Sequence, residues 1–238
     1  SNSLRGQEVK VATGGGYAHL AYTTRENSNE NAKVTPVAIS GSGSLSLGTT
    51  TTVNTLASSG SSTEPYGIEY DTSQDTILVF FYLGSASGYL NKVFPLQMSG
   101  ANYSYSSSDA VTLTSGIDVH MKSLNTVFDP DTNRTIAFYN KDNATTSVNV
   151  TVTGGGTNTL SFTSDAYVFA NTSQQAEACA ITWNGDANRL FMVYPAYSDY
   201  HVQCNTFTSN GSTLTTITQE EVLAEEMYPN GGTEEDEL

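Results

Sequence analysis

Charge is scarce in this chain, and what there is has mostly one sign. Charged residues make up 14% of the 238, with 9 Lys and Arg against 24 Asp and Glu, for a formal net charge of −15. Phosphate backbones would be repelled by such a surface, which argues against nucleic acid as a partner. Two cysteines are too few for a disulfide framework. No apolar run approaches the roughly 20 residues that span a bilayer. No signal-peptide pattern opens the chain, so a mature or excised fragment is expected. G-x-S-x-G, P-loop and dinucleotide motifs are missing, as is the sialidase-type Asp box, and no cofactor is expected.

What is present is β-prone: 14 Tyr, 9 Phe and many β-branched residues, set among Ser, Thr, Asn and Gly. From Thr126 to Tyr139 an aromatic-ended run meets the turn Asp129-Pro130-Asp131-Thr132-Asn133, and an almost wholly apolar run leaves it. This reads as a β-hairpin with a loop of about four residues. The same 14-residue unit recurs without gaps at Val9–Tyr22, Ile68–Phe81 and Ile181–Tyr194, at intervals of 55 to 59 residues. Third strands follow at Lys33–Gly41 and Lys92–Gly100, then around Val150 and Cys204; fourth strands centre on Val53, Val111, Tyr167 and Val222.

The second strand of each unit points to the fold. Thr76–Phe81 and Thr135–Tyr139 are apolar at nearly consecutive positions, as in strands covered on both faces. Four-stranded sheets stacked on both sides are the blades of a β-propeller. The expectation is an all-β propeller of four four-stranded blades, with an arc of a larger propeller or a β-sandwich as alternatives. One domain over residues 1–226 is expected, with repeats at about 7–60, 61–116, 117–172 and 173–226, and an acidic tail over 227–238. Closure around one four-fold axis is expected, with the leader Ser1–Gly6 outside the repeats. Tyr70, Phe128 and Trp183 share a repeat position filled by Val11 in the first unit, and are expected between blades with Phe80, Phe138 and Val193. On that basis Trp183→Ala should cost about 3–5 kcal/mol.

The third unit, through Phe128, Asp129, Pro130, Asp131, Thr132, Asn133, Arg134, Tyr139, Gly154, Leu160, Ser161, Phe162 and Phe169, is similar to a tandem repeat of environmental, especially marine, sequences. Those repeats occur in phage tail-fibre-like and secreted surface proteins. The resemblance implies a propeller-type structural or adhesive module without catalytic activity.

Candidate sites are few. Asp129, Asp131 and Asn133 open like a calcium loop, echoed by Asn184, Asp186 and Asn188. The positions of the required Gly and Glu hold Arg134 and Asn140, or Arg189 and Pro195, so Asx turns capping their own backbone are the expected reading. His19, His120 and His201 fall at unrelated repeat positions with no second ligand at zinc spacing, which suits core or surface roles rather than a metal. Cys179 and Cys204 would sit two strand spacings apart, about 9.6 Å, beyond the roughly 7 Å that a disulfide tolerates. Free, buried thiols are expected. Sequons occur at Asn102, Asn133, Asn143, Asn149, Asn171 and Asn210, and those in turns could carry glycans.

The functional expectation is a non-enzymatic extracellular or virion-surface module that forms a fibre or holds a surface. A lectin-like propeller, stacking glycans on Tyr66, Tyr89, Tyr197 or Tyr200, is the alternative, and a glycan-processing enzyme is the second alternative. With 24 acids present, no catalytic pair stands out in the sequence. Self-association into a repeating assembly is the expected partnership, with the tail resting on a neighbouring copy, by strand addition or by pairing with its Arg5, Lys10 or Arg25.

Overall fold

A computed structural model describes residues 3–4, 9–26, 28–57, 62–85, 88–115, 125–141, 144–153, 159–162, 166–170, 180–196, 201–209 and 214–223. They form four antiparallel sheets in chain order, the four blades expected from the repeat. Blade 1 holds β1 (Ser3–Leu4), β2 (Lys10–Gly14), β3 (Tyr17–Glu26), β4 (Asn29–Ile39), β5 (Leu45–Leu47) and β6 (Thr51–Ala57). Blade 2 holds β7 (Ser62–Asp71), β8 (Thr76–Ser85), β9 (Gly88–Ser99), β10 (Asn102–Ser104) and β11 (Val111–Ser115). Blade 3 is built from β12 (Asn125–Asp129), β13 (Arg134–Lys141), β14 (Ala144–Thr153), β15 (Thr159–Phe162) and β16 (Ala166–Ala170). Blade 4 is β17 (Ala180–Asn184), β18 (Arg189–Ala196), β19 (His201–Ser209) and β20 (Leu214–Leu223).

The outermost strand is broken in two in blades 1 to 3, both pieces pairing with the third strand. Each blade also carries a register shift in that outer strand. At one repeat position the skipped residues are Val53, Leu113, Val168 and Val222, an apolar bulge, and blade 4 skips Ile217 as well. Part of the leader is not outside the sheets, because Ser3 and Leu4 pair with Arg25 and Thr24 of β3.

The hairpins that define the repeat close as their turn chemistry dictates. Asp71, Asp129 and Asn184 precede turns of four residues whose last members, Asp75, Asn133 and Asn188, adopt φ of 52°, 51° and 56°. Short Asx side chains tolerate that left-handed conformation best after glycine. The first unit departs from the gapless alignment: Gly14 pairs with Tyr17 around a two-residue turn of Gly15 and Gly16, at φ 55° and 83°. That turn needs positive φ at both positions. It shifts β2 by two residues against the other inner strands, so Thr13 rather than Val11 occupies the repeat position of Tyr70 and Trp183. Val11 is 56% exposed.

β8 shows why its sequence lacks alternation. Ile77, Val79, Phe81 and Leu83 pack with Ala21, Ala32, Val34 and Val53 of blade 1. Leu78 and Phe80 point the other way, packing with Ala137 and Leu160 of blade 3. Blades 3 and 4 meet through Val127, Ile136 and Phe138 against Leu190, Met192 and Phe207. Tyr70 packs with the first of these clusters and Phe80 with the second, so the two lie on opposite faces of one sheet. The expected grouping of Tyr70 with Phe80 is therefore wrong, because neighbouring repeat positions of opposite parity face different blades.

Trp183 lies half-buried at the edge of the last cluster. Trp183→Ala should accordingly cost about 2–3 kcal/mol, below the 3–5 of a full core truncation. Urea titration of the variant would read this directly, and a loss below about 1 kcal/mol would place the indole outside the packing.

The inner strands set the axis. β2 packs against β7, β7 against β12 and β12 against β17, while no comparable packing joins β17 to β2 among the described residues. The expected meeting of the fourth blade with the first is thus not found there.

Candidate functional site

β7 is the innermost strand of blade 2 and the one with most neighbours, touching β2, β3 and β4 on one side and β12 and β13 on the other. Its polar residues sort by face. Thr63 faces blade 1, where its backbone N–H donates to Glu30 Oε2 at 2.8 Å and its carbonyl accepts from Thr23 Oγ1 at 2.7 Å. Toward blade 3 lie Glu64, Tyr66 and Glu69, paired with Tyr82 and Leu78 or set at the bulge after Pro65. Tyr66 is 8% exposed, meets Tyr82 edge-on at 5.7 Å, and donates to Glu64 Oε2 at 3.1 Å. It is a core residue and offers no stacking face to a ligand.

Glu69 is the unusual group. It sits two pairs from the closing pair of the hairpin, and desolvation by burial pushes its carboxyl up to about 7. A hydrogen bond involving the Tyr70 backbone opposes that rise. Thr126 Oγ1 donates to the Ile68 carbonyl at 3.3 Å, which ties β12 to β7 one residue away. The result is a carboxylic acid that keeps its proton near neutrality, at the axial edge of a blade junction. Sequence reasoning missed it. The equivalent positions hold Val127 and Thr182, and β7 carries Glu64 and Asp71 besides, so the chain alone does not single Glu69 out.

A second polar cluster joins blades 1 and 2. His19 is fully buried; its Nε2–H donates to the Gly14 carbonyl at 3.0 Å, which leaves Nδ1 to accept the Tyr103 O–H at 2.7 Å. The Tyr70 ring stacks on His19 with centroids 6.1 Å apart, and its hydroxyl donates to Asp75 Oδ1 at 2.6 Å. Burial lowers the imidazole pKa, so this histidine is a neutral core group with both nitrogens used. Gly14 is required here, because a Cβ would fall 2.0 Å from Tyr70 Cδ1.

The other sequence candidates separate cleanly. Asp129 Oδ1 accepts from the Asp131 and Thr132 backbone, and its Oδ2 from Thr132 Oγ1 at 2.7 Å. Asp71 Oδ1 accepts from both the backbone N–H and the hydroxyl of Ser73, and Asn184 Oδ1 accepts from the Ala187 N–H. These are the Asx turns expected, and their acids are committed to the turns. Cys204 is a free thiol, half-buried rather than buried, on a side of blade 4 that no other sheet covers among the described residues. Tyr89 lies within β9 opposite Gly84 rather than in a loop, and its side chain falls outside the described residues. His201 opens β19 opposite Ala196, its side chain likewise outside them. Asn102 and Asn133 are exposed, at a strand start and in a turn, whereas Asn149 lies inside β14 opposite Ile136. Tyr197, Tyr200, His120, Cys179, Asn143, Asn171, Asn210 and the tail from residue 227 lie outside the described residues.

No family model matches the sequence, and no curated protein matches it. Among solved structures the chain is similar to RS223 β-xylosidase, with TM-score 0.50 and 8% identity over 90% of this chain and 77% of that one. The GH43_1 enzyme from Xanthomonas citri also matches, with TM-score 0.48 and 8% identity over 90% of this chain and 74% of that one. At such identity the likeness to the xylosidase concerns the fold, an all-β propeller of the kind glycoside hydrolases use. It overturns the expectation of a module without catalytic activity. The xylosidase of similar fold is an enzyme, so the repeat alone does not imply a fibre or adhesion role.

Proposed function

We propose that the chain is a glycan-processing propeller that hydrolyses glycosidic bonds, with Glu69 as its proton donor. The observation that carries this reading is a carboxyl held at about 7 by desolvation on an innermost strand. Glycoside hydrolysis needs such an acid, protonated at working pH, to discharge the leaving oxygen. The similarity in fold to a β-xylosidase supports the class and makes pentosides the first substrates to try. Hydrolysis also needs a second carboxylate facing the same sugar. Asp71 and Asp129, fully buried in their turns, are not it.

The test is a panel of aryl glycosides and xylo-oligosaccharides with the wild type and Glu69→Gln. Activity should fall as pH rises through about 7, where the acid loses its proton. Glu69→Gln should lower turnover by roughly 10²–10⁴-fold and remove that limb of the profile. Its melting temperature should stay near that of the wild type at acidic pH, since the amide resembles the protonated acid. Turnover that survives the substitution would remove Glu69 from the chemistry. Glycan binding without any turnover would replace the hydrolase reading with a lectin.

A further inference from the structure

We infer that blade 1 of one copy receives blade 4 of a second copy, so that the protein assembles head to tail through its blade faces. The three internal junctions supply the template. At each, one sheet offers the face that looks forward along the chain and the next sheet the face that looks back. Among the described residues, the forward face of blade 4 and the backward face of blade 1 have no such partner.

The repeat lets burial be compared position by position. On the forward face, His19, Leu78 and Ile136 are fully buried in blades 1 to 3, while the equivalent Phe191 of blade 4 is only half-buried. Val193 is likewise half-buried where Ala21 and Phe138 are at 0% and Phe80 at 2%. Cys204 repeats the contrast against Val34 and Val93, both at 0%. The backward face behaves the same way in blade 1. Leu20 is half-buried where Val79, Ala137 and Met192 are at 0%, and Val11 is 56% exposed where Ile68 is 6%.

The five large hydrophobics that stand exposed among the described residues, Val9, Val11, Ile39, Leu45 and Leu47, belong to this backward face. Strand parity puts them there: Ala12 packs toward blade 2, so Val9 and Val11 point away. Ile39 pairs with Leu45, and Val37 with Leu47, opposite in parity to the inward-packed Ala32 and Val34. Val37 and Thr35 are buried between the two exposed groups. Apolar side chains gathered on one sheet face mark an interaction surface. The occupant is a second copy because the complementary half, a forward face of the same repeat, is uncovered on the same chain. Head-to-tail contacts of this kind either close on themselves or extend.

The experiment is solution mass by light scattering and sedimentation at physiological salt, where a Debye length of about 8 Å screens the like charge of two acidic copies. The expected mass is an integer multiple of the chain, two or more. Val11→Glu with Leu47→Glu, at exposed sites that leave the core alone, should return a single-chain mass with an unchanged far-UV spectrum. Val193→Glu on the opposite blade should do the same, and in either variant Cys204 should alkylate several-fold faster than in the wild type. A wild type that runs as one chain up to millimolar concentration would overturn the inference, as would variants that keep the wild-type mass.

Discussion

Phe81→Ala should be among the most damaging single truncations in this protein, lowering stability by about 3–5 kcal/mol. Phe81 is 1% exposed, sits mid-strand in β8, and meets Phe94 edge-on at 5.9 Å. Its cluster spans two sheets, with Ala21, Ala32 and Val34 across the junction, so no single strand can collapse into the cavity. The cavity term then adds to the lost transfer energy instead of being relaxed away. The edge-to-face pair contributes roughly 0.5–1.5 kcal/mol of that total. A chemical denaturation midpoint with an unchanged slope reads the loss. A shift equivalent to less than about 1 kcal/mol would mean that blades 1 and 2 do not meet through this residue. Tyr22, at the same repeat position of blade 1, is half-buried and hydrogen-bonded to Thr35 Oγ1 at 2.9 Å, so its truncation should cost less.

Gly48→Val should come close to that effect by the opposite route. A Cβ at Gly48 would lie 2.2 Å from the Ala101 carbonyl oxygen and 2.7 Å from Pro36 Cγ. The neighbour that matters is backbone, and it cannot swing aside as a side chain can. The same carbonyl accepts the Thr49 N–H at 3.0 Å, and the Gly48 N–H donates to the Pro36 carbonyl at 2.8 Å. The first of those bonds fastens the loop after β5 to the β9–β10 turn of blade 2, and the second holds the loop to β4 of its own blade. Strain of about 1–3 kcal/mol and a lost interblade hydrogen bond of about 1–3 kcal/mol together give roughly 2–5 kcal/mol. Gly14→Ala is the informative contrast, because its obstacle is a side chain: Tyr70 Cδ1 and Cγ, at 2.0 and 2.1 Å, must swing away about χ1 at the expense of the stacking on His19. Thermal melts of the two variants should rank Gly48→Val as the more damaging. The reverse order would show that the loop yields more easily than the ring.

Much of the architecture was legible because it is written in short-range signals. Asp129 and Asn133 specify their own turn, and the apolar run from Ile77 to Phe81 announces a strand covered on both sides. Repetition then multiplies these signals, so that a blade read once is read four times. The register of β2 was less legible. The gapless match of Val9–Tyr22 to the other units conceals that Gly15 and Gly16 close a two-residue turn, which moves Val11 off the position of Trp183.

Other features were decided only when sheets met. Whether Tyr70 and Phe80 share a cluster depends on parity relative to two different neighbours, which no local pattern records. Nothing around Glu69 in the chain marks it as an acid protonated near neutrality. Its environment comes from β12 and β13, more than fifty residues away in sequence, and desolvation is a property of that packed junction. The uncovered faces of blades 1 and 4 follow the same logic: the sequence determined that each blade has two apolar faces, and the tertiary arrangement decided which of them found a partner, because burial belongs to pairs of sheets and not to a strand alone.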